Sequence, residues 1–152
     1  MIKTFELSFN KYIKDLEFDK LPEYKGIYLF KVTTIKDGIN YSTIIYIGKA
    51  DGENGLKGRV NENHEHITDA RKRVEDAKKN DKTAFLTIAY SDENSENEAY
   101  LERIEAALIF SKKPPINTQS KESFSYADTI LNISGNRMAG LEKHYSVKNT
   151  NH

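Results

Sequence analysis

Two tyrosines, one arginine and one glutamate stand where their neighbours in sequence suggest chemistry. Tyr28 closes the triplet Gly26-Ile27-Tyr28, and Tyr46 opens its mirror image, Tyr46-Ile47-Gly48. A free phenol, with a pKa near 10, is protonated at neutral pH, so either tyrosine becomes a base only with cations beside it. Glu105 is marked out by helical spacing: its i−4, i+3 and i+4 neighbours are Leu101, Leu108 and Ile109, so its carboxylate projects from an apolar side. Glu102 instead neighbours Glu98 and Ala106. A buried carboxylate is costly unless it is paired, hydrogen-bonded or bound to a metal. Arg59 lies between Leu56 and Val60 at the border of an apolar stripe, and Lys49 directly follows the second triplet. His64 and His66, two positions apart, point in different directions on a regular helix, which does not suit a shared metal.

For the tyrosines to act together, a hairpin must bring them to one face. The segments Tyr24 to Thr34 and Ile39 to Lys49 are rich in Ile, Val, Tyr and Thr and read as paired strands around Asp37-Gly38. A three-residue Lys36-Asp37-Gly38 loop sets Ile35 opposite Ile39 and Tyr28 opposite Tyr46, with both phenols on the same face. A two-residue Asp37-Gly38 turn shifts the register by one and sends them to opposite faces. The three-residue loop is the expectation here.

The other elements follow in order. Met1 to Leu21 mixes strand-like alternation (Phe5, Leu7, Phe9) with helical spacing (Phe9, Tyr12, Ile13, Leu16), and reads as an N-terminal strand or arm with a helical turn. Asp51 to Gly55 is a loop. Leu56 to about Asn80 is helical, with a break near His64 left open, and Ile67, Ala70, Val74 and Ala77 share one face. Thr83 to Tyr90 is a third strand. Ser95 with Glu98 has capping-box spacing for a helix that ends before Pro114. The tail from about Gly140 to His152 is polar and expected to fray.

Length and composition narrow the class. At 152 residues the chain suits a single domain over 1–152. It has no cysteine, which removes disulfides and thiolate metal sites. Apolar runs such as Ile44 to Ile47 are too short to span a bilayer, and the N-terminus lacks the regions of a signal peptide, so a cytoplasmic protein with no membrane partner is expected. The 23 basic and 23 acidic residues balance, so whole-molecule attraction to nucleic acid is absent. Any DNA surface must come from local charge, with Lys57, Arg71, Arg73, Lys112 and Lys113 as candidates.

In order, spacing and residue type, the stretch from Tyr24 to Thr118 resembles the GIY-YIG nuclease superfamily. The resemblance rests on the two triplets, Lys49, Leu56 to Arg59, Glu105-Ala106-Ala107-Leu108-Ile109 and Pro114-Pro115-Ile116-Asn117. It implies an α/β (α+β) domain with a small, mainly antiparallel three-stranded sheet flanked by helices. It also implies hydrolysis of DNA phosphodiester bonds. Glu105 would hold Mg²⁺ or Mn²⁺, Arg59 would stabilise the phosphorane, and Lys49 would contact phosphate or modulate a tyrosine. Tyr28 would act as general base, Tyr46 would orient water or phosphate, and Asn117 would anchor the site. Many relatives carry a histidine four residues after the arginine. Here that position is Asn63, and His64, one later, is the candidate replacement. With one metal-binding carboxylate per chain, double-strand cleavage calls for a homodimer or two encounters. The alternatives are an RNA nuclease and a non-catalytic nucleic-acid-binding or regulatory module on the same fold.

Overall fold

The run Ile27-Tyr28-Leu29-Phe30 has no polar face, and such a strand is stable where both of its faces are covered. The computed structural model, which describes residues 1–15, 17–135 and 140–151, covers them both. This run lies in β3 (Gly26–Lys36), an inner strand of an antiparallel sheet ordered β2-β5-β3-β4. Its other members are β2 (Lys11–Lys14), β4 (Ile39–Ala50) and β5 (Phe85–Tyr90). On one face Tyr28, Phe30, Tyr46 and Ile88 pack beneath α1 (Gly55–Glu62) and α2 (His64–Lys78), which contribute Leu56, Val60, Ile67, Ala70 and Val74. On the other, Ile27, Leu29 and Ile47 meet α3 (Leu101–Lys112).

A second sheet completes the core around α3. β1 (Lys3–Phe9) runs parallel to β6 (Thr129–Gly135), which pairs antiparallel with β7 (His144–Val147). Phe5, Leu7, Leu131 and Val147 from this sheet join α3 and the four-stranded sheet in one cluster. A helix packed on two sides must be apolar over most of its circumference, and six of α3's residues are buried, from Leu101 to Ile109. The chain is therefore α+β with one sheet of four strands and one of three. The single three-stranded sheet expected from the sequence is corrected accordingly. The N-terminal segment is not an arm, because β1 and β2 each belong to a sheet. The C-terminal segment is also tied down: β7 joins β6, the Thr150 N–H donates to the Phe124 carbonyl (3.0 Å), and the Asn149 N–H donates to Asp128 Oδ1 (2.9 Å). Leu16 and His152 lie outside the described residues. Among the described residues no helix is long and apolar enough to cross a membrane.

The hairpin departs from expectation in a way that bears on the chemistry. Lys36 pairs with Ile39 across a two-residue turn in which Asp37 and Gly38 have φ of 52° and 75°, as a type I′ turn requires. Continued unbroken, that register would put the phenols on opposite faces. A β-bulge intervenes. Lys31 pairs with Ile44 but Phe30 pairs with Tyr46, leaving Ile45 as the extra residue and moving the register by one. Tyr28 then stands opposite Gly48 rather than Tyr46, and the two phenols return to one face with ring centroids 6.1 Å apart.

One helix end differs from the sequence reading and one break matches it. The long helical stretch is broken at Asn63, beside the His64 position where a break was left open. The Ser95 capping box does not form; Asn94 accepts from the Glu96 N–H and opens a 3-10 turn, Ser95–Tyr100, that leads into α3. α3 stops before Pro114, as expected, with Lys113 left-handed at φ 48°.

Among the described residues, Lys31 is a buried cation at odds with its surroundings. It is fully buried on the α3 side of β3, and its ammonium has no hydrogen-bond partner among the described residues. Burial pushes its pKa down from 10.5 to about 8. Below about pH 8 both folded and unfolded chains carry the proton, and the full cost of burying charge opposes folding. Between about 8 and 10.5 folding releases the proton and the cost fades. Lys31→Met should therefore raise stability at pH 7, on the order of 3 kcal/mol at most. Urea unfolding at pH 7 and pH 10 checks this: the advantage of the variant should shrink at the higher pH, and an equal or larger advantage there would refute the assignment.

Candidate active site

β4 is an edge strand, and the cleft forms along its exposed flank. The inner half of that flank is covered by the chain leaving α3. The Ile116 N–H donates to the carbonyl of Ile45, the bulge residue (3.0 Å), and the Asn117 side chain bonds both the N–H and the carbonyl of Ile47 (2.9 Å each). Asn117 thus pairs with the strand as a neighbouring strand would, and orients the segment Asn117 to Ser120 along one wall. The opposite wall is α1, whose entry is set by Gly55. Its φ is +54°, and a Cβ there would overlap the carbonyls of Glu23 and Tyr24. The first N–H groups of α1 are consumed locally, Leu56 donating to Tyr24 and Lys57 to Pro22 (2.9 Å each).

Between these walls lies a cleft of about 580 Å³. It receives Tyr46 and Lys49 from β4, Arg59 from α1, His66 from α2, Glu105 from α3, and Asn117. Five residues singled out from sequence (Tyr46, Lys49, Arg59, Glu105 and Asn117) therefore converge on one cavity. Tyr28 and His64 do not line it. Tyr28 has no solvent exposure, its ring packs against Phe30 and Tyr46, and its oxygen accepts from Asn63 Nδ2 at 2.8 Å. Gly48 makes room for that ring, since a Cβ at this position would overlap it. His64 is exposed at the start of α2.

His66 occupies the place that sequence reasoning reserved for His64. Its ring stacks on Tyr46, with centroids 4.3 Å apart and planes 21° apart, and its Nδ1 lies 2.6 Å from Asn63 Oδ1. The Asn63 break turns α2 so that the third residue of the helix, rather than the first, faces the sheet. The signal available in the sequence was the Asn63 to His66 spacing of one helical turn.

Burial dominates the electrostatics. The phenols of Tyr28 and Tyr46 are both pushed above their ordinary range by desolvation, while Arg59 and the Asn63 amide pull the other way. Burial pushes the Glu105 carboxyl up from 4.5 to about 7, with Glu102 and Asp51 adding to the effect and Lys49 opposing it. Lys49 is tied to Asp51 at 2.8 Å, whereas Arg59 is exposed and has no hydrogen bond or ion pair among the described residues. Two of the basic residues suggested for DNA contact are engaged elsewhere. Arg71 makes a forked pair with Asp15 (2.8 Å on each arm), and Lys113 lies over the Phe110 ring and bonds the Lys121 carbonyl.

Two cations, Lys49 and Arg59, face four carboxylates in the cleft: Asp51, Glu53, Glu62 and Glu105. A polyanion would not enter such a site unaided. Among the described residues no three His, Cys, Asp or Glu side chains converge as a protein cage for a metal. A single partly buried carboxylate in an open, oxygen-lined cleft suits Mg²⁺, which keeps waters and shares its ligands with substrate phosphates. Comparison with models of known protein families, with curated proteins and with solved structures yields no match.

Proposed function

We propose that this chain is a metal-dependent endonuclease of the GIY-YIG type, hydrolysing DNA phosphodiester bonds in the cleft along β4. The observation that carries the reading is the convergence of Tyr46, Lys49, Arg59, Glu105 and Asn117, drawn from separate elements of the fold, on one cavity. A binding platform has no need of a partly buried carboxylate, a free arginine and a phenol around one point.

In this reading Glu105 would hold the metal, which when bound would supply Lewis-acid polarisation of the phosphate. Arg59, planar and permanently charged, grips non-bridging phosphoryl oxygens and is most useful as negative charge grows in the transition state. Tyr46 hydrogen-bonds the phosphate or the attacking water from the floor of the cleft. Lys49, held by Asp51, adds positive charge at the rim. Asn117 acts at one remove, by locking the α3 exit to Ile47. Each cleft cuts one strand, so severing a duplex takes two copies or two encounters.

The deciding assay incubates purified protein with supercoiled plasmid, single-stranded DNA and RNA, each with Mg²⁺, Mn²⁺ or EDTA. Nicking or linearisation that needs metal and is stopped by EDTA is the expected result. Cleavage confined to RNA would move the substrate class. Retention of DNA without cleavage under any metal would favour the binding-module reading.

A further inference from the structure

Tyr28 is badly placed to take a proton from a water in the cleft, being enclosed and already accepting from Asn63. The Asn63 amide also determines where the neighbouring protons lie. Its Nδ2 donates to Tyr28, so its Oδ1 is the atom facing His66 Nδ1. An amide oxygen bonds only a nitrogen that carries hydrogen. Neutral His66 therefore keeps its proton on Nδ1 and a lone pair on Nε2. Nδ1 points inward to Asn63, which is 5% exposed, while the ring forms part of the cleft wall, so Nε2 is the nitrogen presented to the cleft. It has no protein partner among the described residues. The Tyr46 phenol, held above its ordinary range chiefly by burial, keeps its proton and lines the same cleft. One wall thus carries a proton acceptor stacked on a proton donor.

We infer that His66 is the catalytic base of this site, an inference that rests on the nuclease reading above. The water proton passes to His66 Nε2 as the water oxygen bonds phosphorus. The bond from phosphorus to the leaving sugar oxygen breaks, and that oxygen departs with the electron pair and takes a proton from solvent in the open cleft. Tyr46 donates its hydrogen to a non-bridging oxygen during the displacement, and His66 then returns its proton to solvent.

His66→Phe keeps a ring to stack on Tyr46 and removes both nitrogens. At saturating DNA its cleavage rate should fall on the order of 10²-fold or more, with DNA affinity retained. His66→Ala should fall similarly and regain part of its rate in added imidazole, while His64→Ala should match wild type. A second measurement needs no turnover. In the full chain with ¹⁵N-labelled histidine, neutral His66 should show a protonated Nδ1 and a bare Nε2, and Asn63→Leu should abolish that preference. Wild-type cleavage by His66→Phe, or a proton found on Nε2, would overturn the inference while leaving the nuclease reading standing. A wild-type protein that cleaves no nucleic acid with any metal would overturn both.

Discussion

Glu105→Gln should leave a protein that folds at least as well as wild type and cuts DNA at least 10²-fold more slowly. The two halves of that result have one cause. Glu105 sits on a helix whose neighbouring residues are buried, and its carboxyl is pushed up to about 7, chiefly by loss of water. Above about pH 7 the folded protein holds a charge that burial disfavours, and below about 4.5 the carboxyl is neutral in folded and unfolded chains alike. Glutamine keeps the shape and removes the charge. The variant should thus gain stability at pH 8, with the gain vanishing toward pH 4, while losing the only ligand proposed for the metal. Electrostatic contributions of this kind amount to about 10²-fold or more in rate. Thermal melts at both pH values, read beside Mg²⁺-dependent nicking, test both halves. Glu102→Gln, altering an exposed carboxylate on the same helix, should be nearly silent in each. Wild-type cleavage by Glu105→Gln would remove the metal from this position.

Arg59→Ala should lower the single-turnover cleavage rate by about 10²-fold or more while changing DNA affinity little. Arg59 is exposed and makes no ion pair among the described residues, so its removal breaks no internal contact and should leave the melting temperature near wild type. It lies on the cleft wall close enough to influence both phenols. A guanidinium there gains most when the phosphoryl group acquires charge. Lys49→Ala should show a milder loss, since Asp51 already neutralises part of that ammonium at 2.8 Å. If raising the DNA concentration restores the full rate of Arg59→Ala, the residue supplies ordinary binding and the transition-state role is lost.

Much of the candidate site was legible in the chain, for reasons that differ by residue. Glu105 was visible through its helical spacing and Asn117 through its place in the family resemblance, and both residues line the cleft. The shared face of Tyr28 and Tyr46 was anticipated through a three-residue loop that does not form. A type I′ turn and a bulge at Ile45 shift the register once each, and the shifts combine to the same parity. A bulge inside Ile44-Ile45-Tyr46-Ile47 leaves no mark in sequence, because a run apolar at every position fits either register. Tyr28, chosen from the sequence as general base, lies outside the cleft for a related reason: opposite Gly48, its ring fills the space and is sealed in. The second sheet was hidden by distance along the chain. β1 and β6 come from opposite ends of the protein, and parallel pairing of that kind has no turn to announce it. His66 was overlooked in favour of His64 because a helix break re-aims every residue after it.

The bulge at Ile45 divides the hairpin into two mechanical parts. Distal to it, from Ile35 to Thr43, the strands pair with each other, Ile35 also bonds the Thr83 hydroxyl, and the tip carries exposed Ile35, Ile39 and Tyr41. Proximal to it, Ile45 and Ile47 are fastened to the segment after α3. Lengthening the tip by one residue on each strand keeps the pleat in phase and should leave the cleft undisturbed. A single residue inserted between Ile47 and Lys49 would turn Lys49 out of the cleft. The far end of this hairpin is thus open to redesign, as a handle for a fused reader domain or a surface tether, while the near end tolerates no change of length.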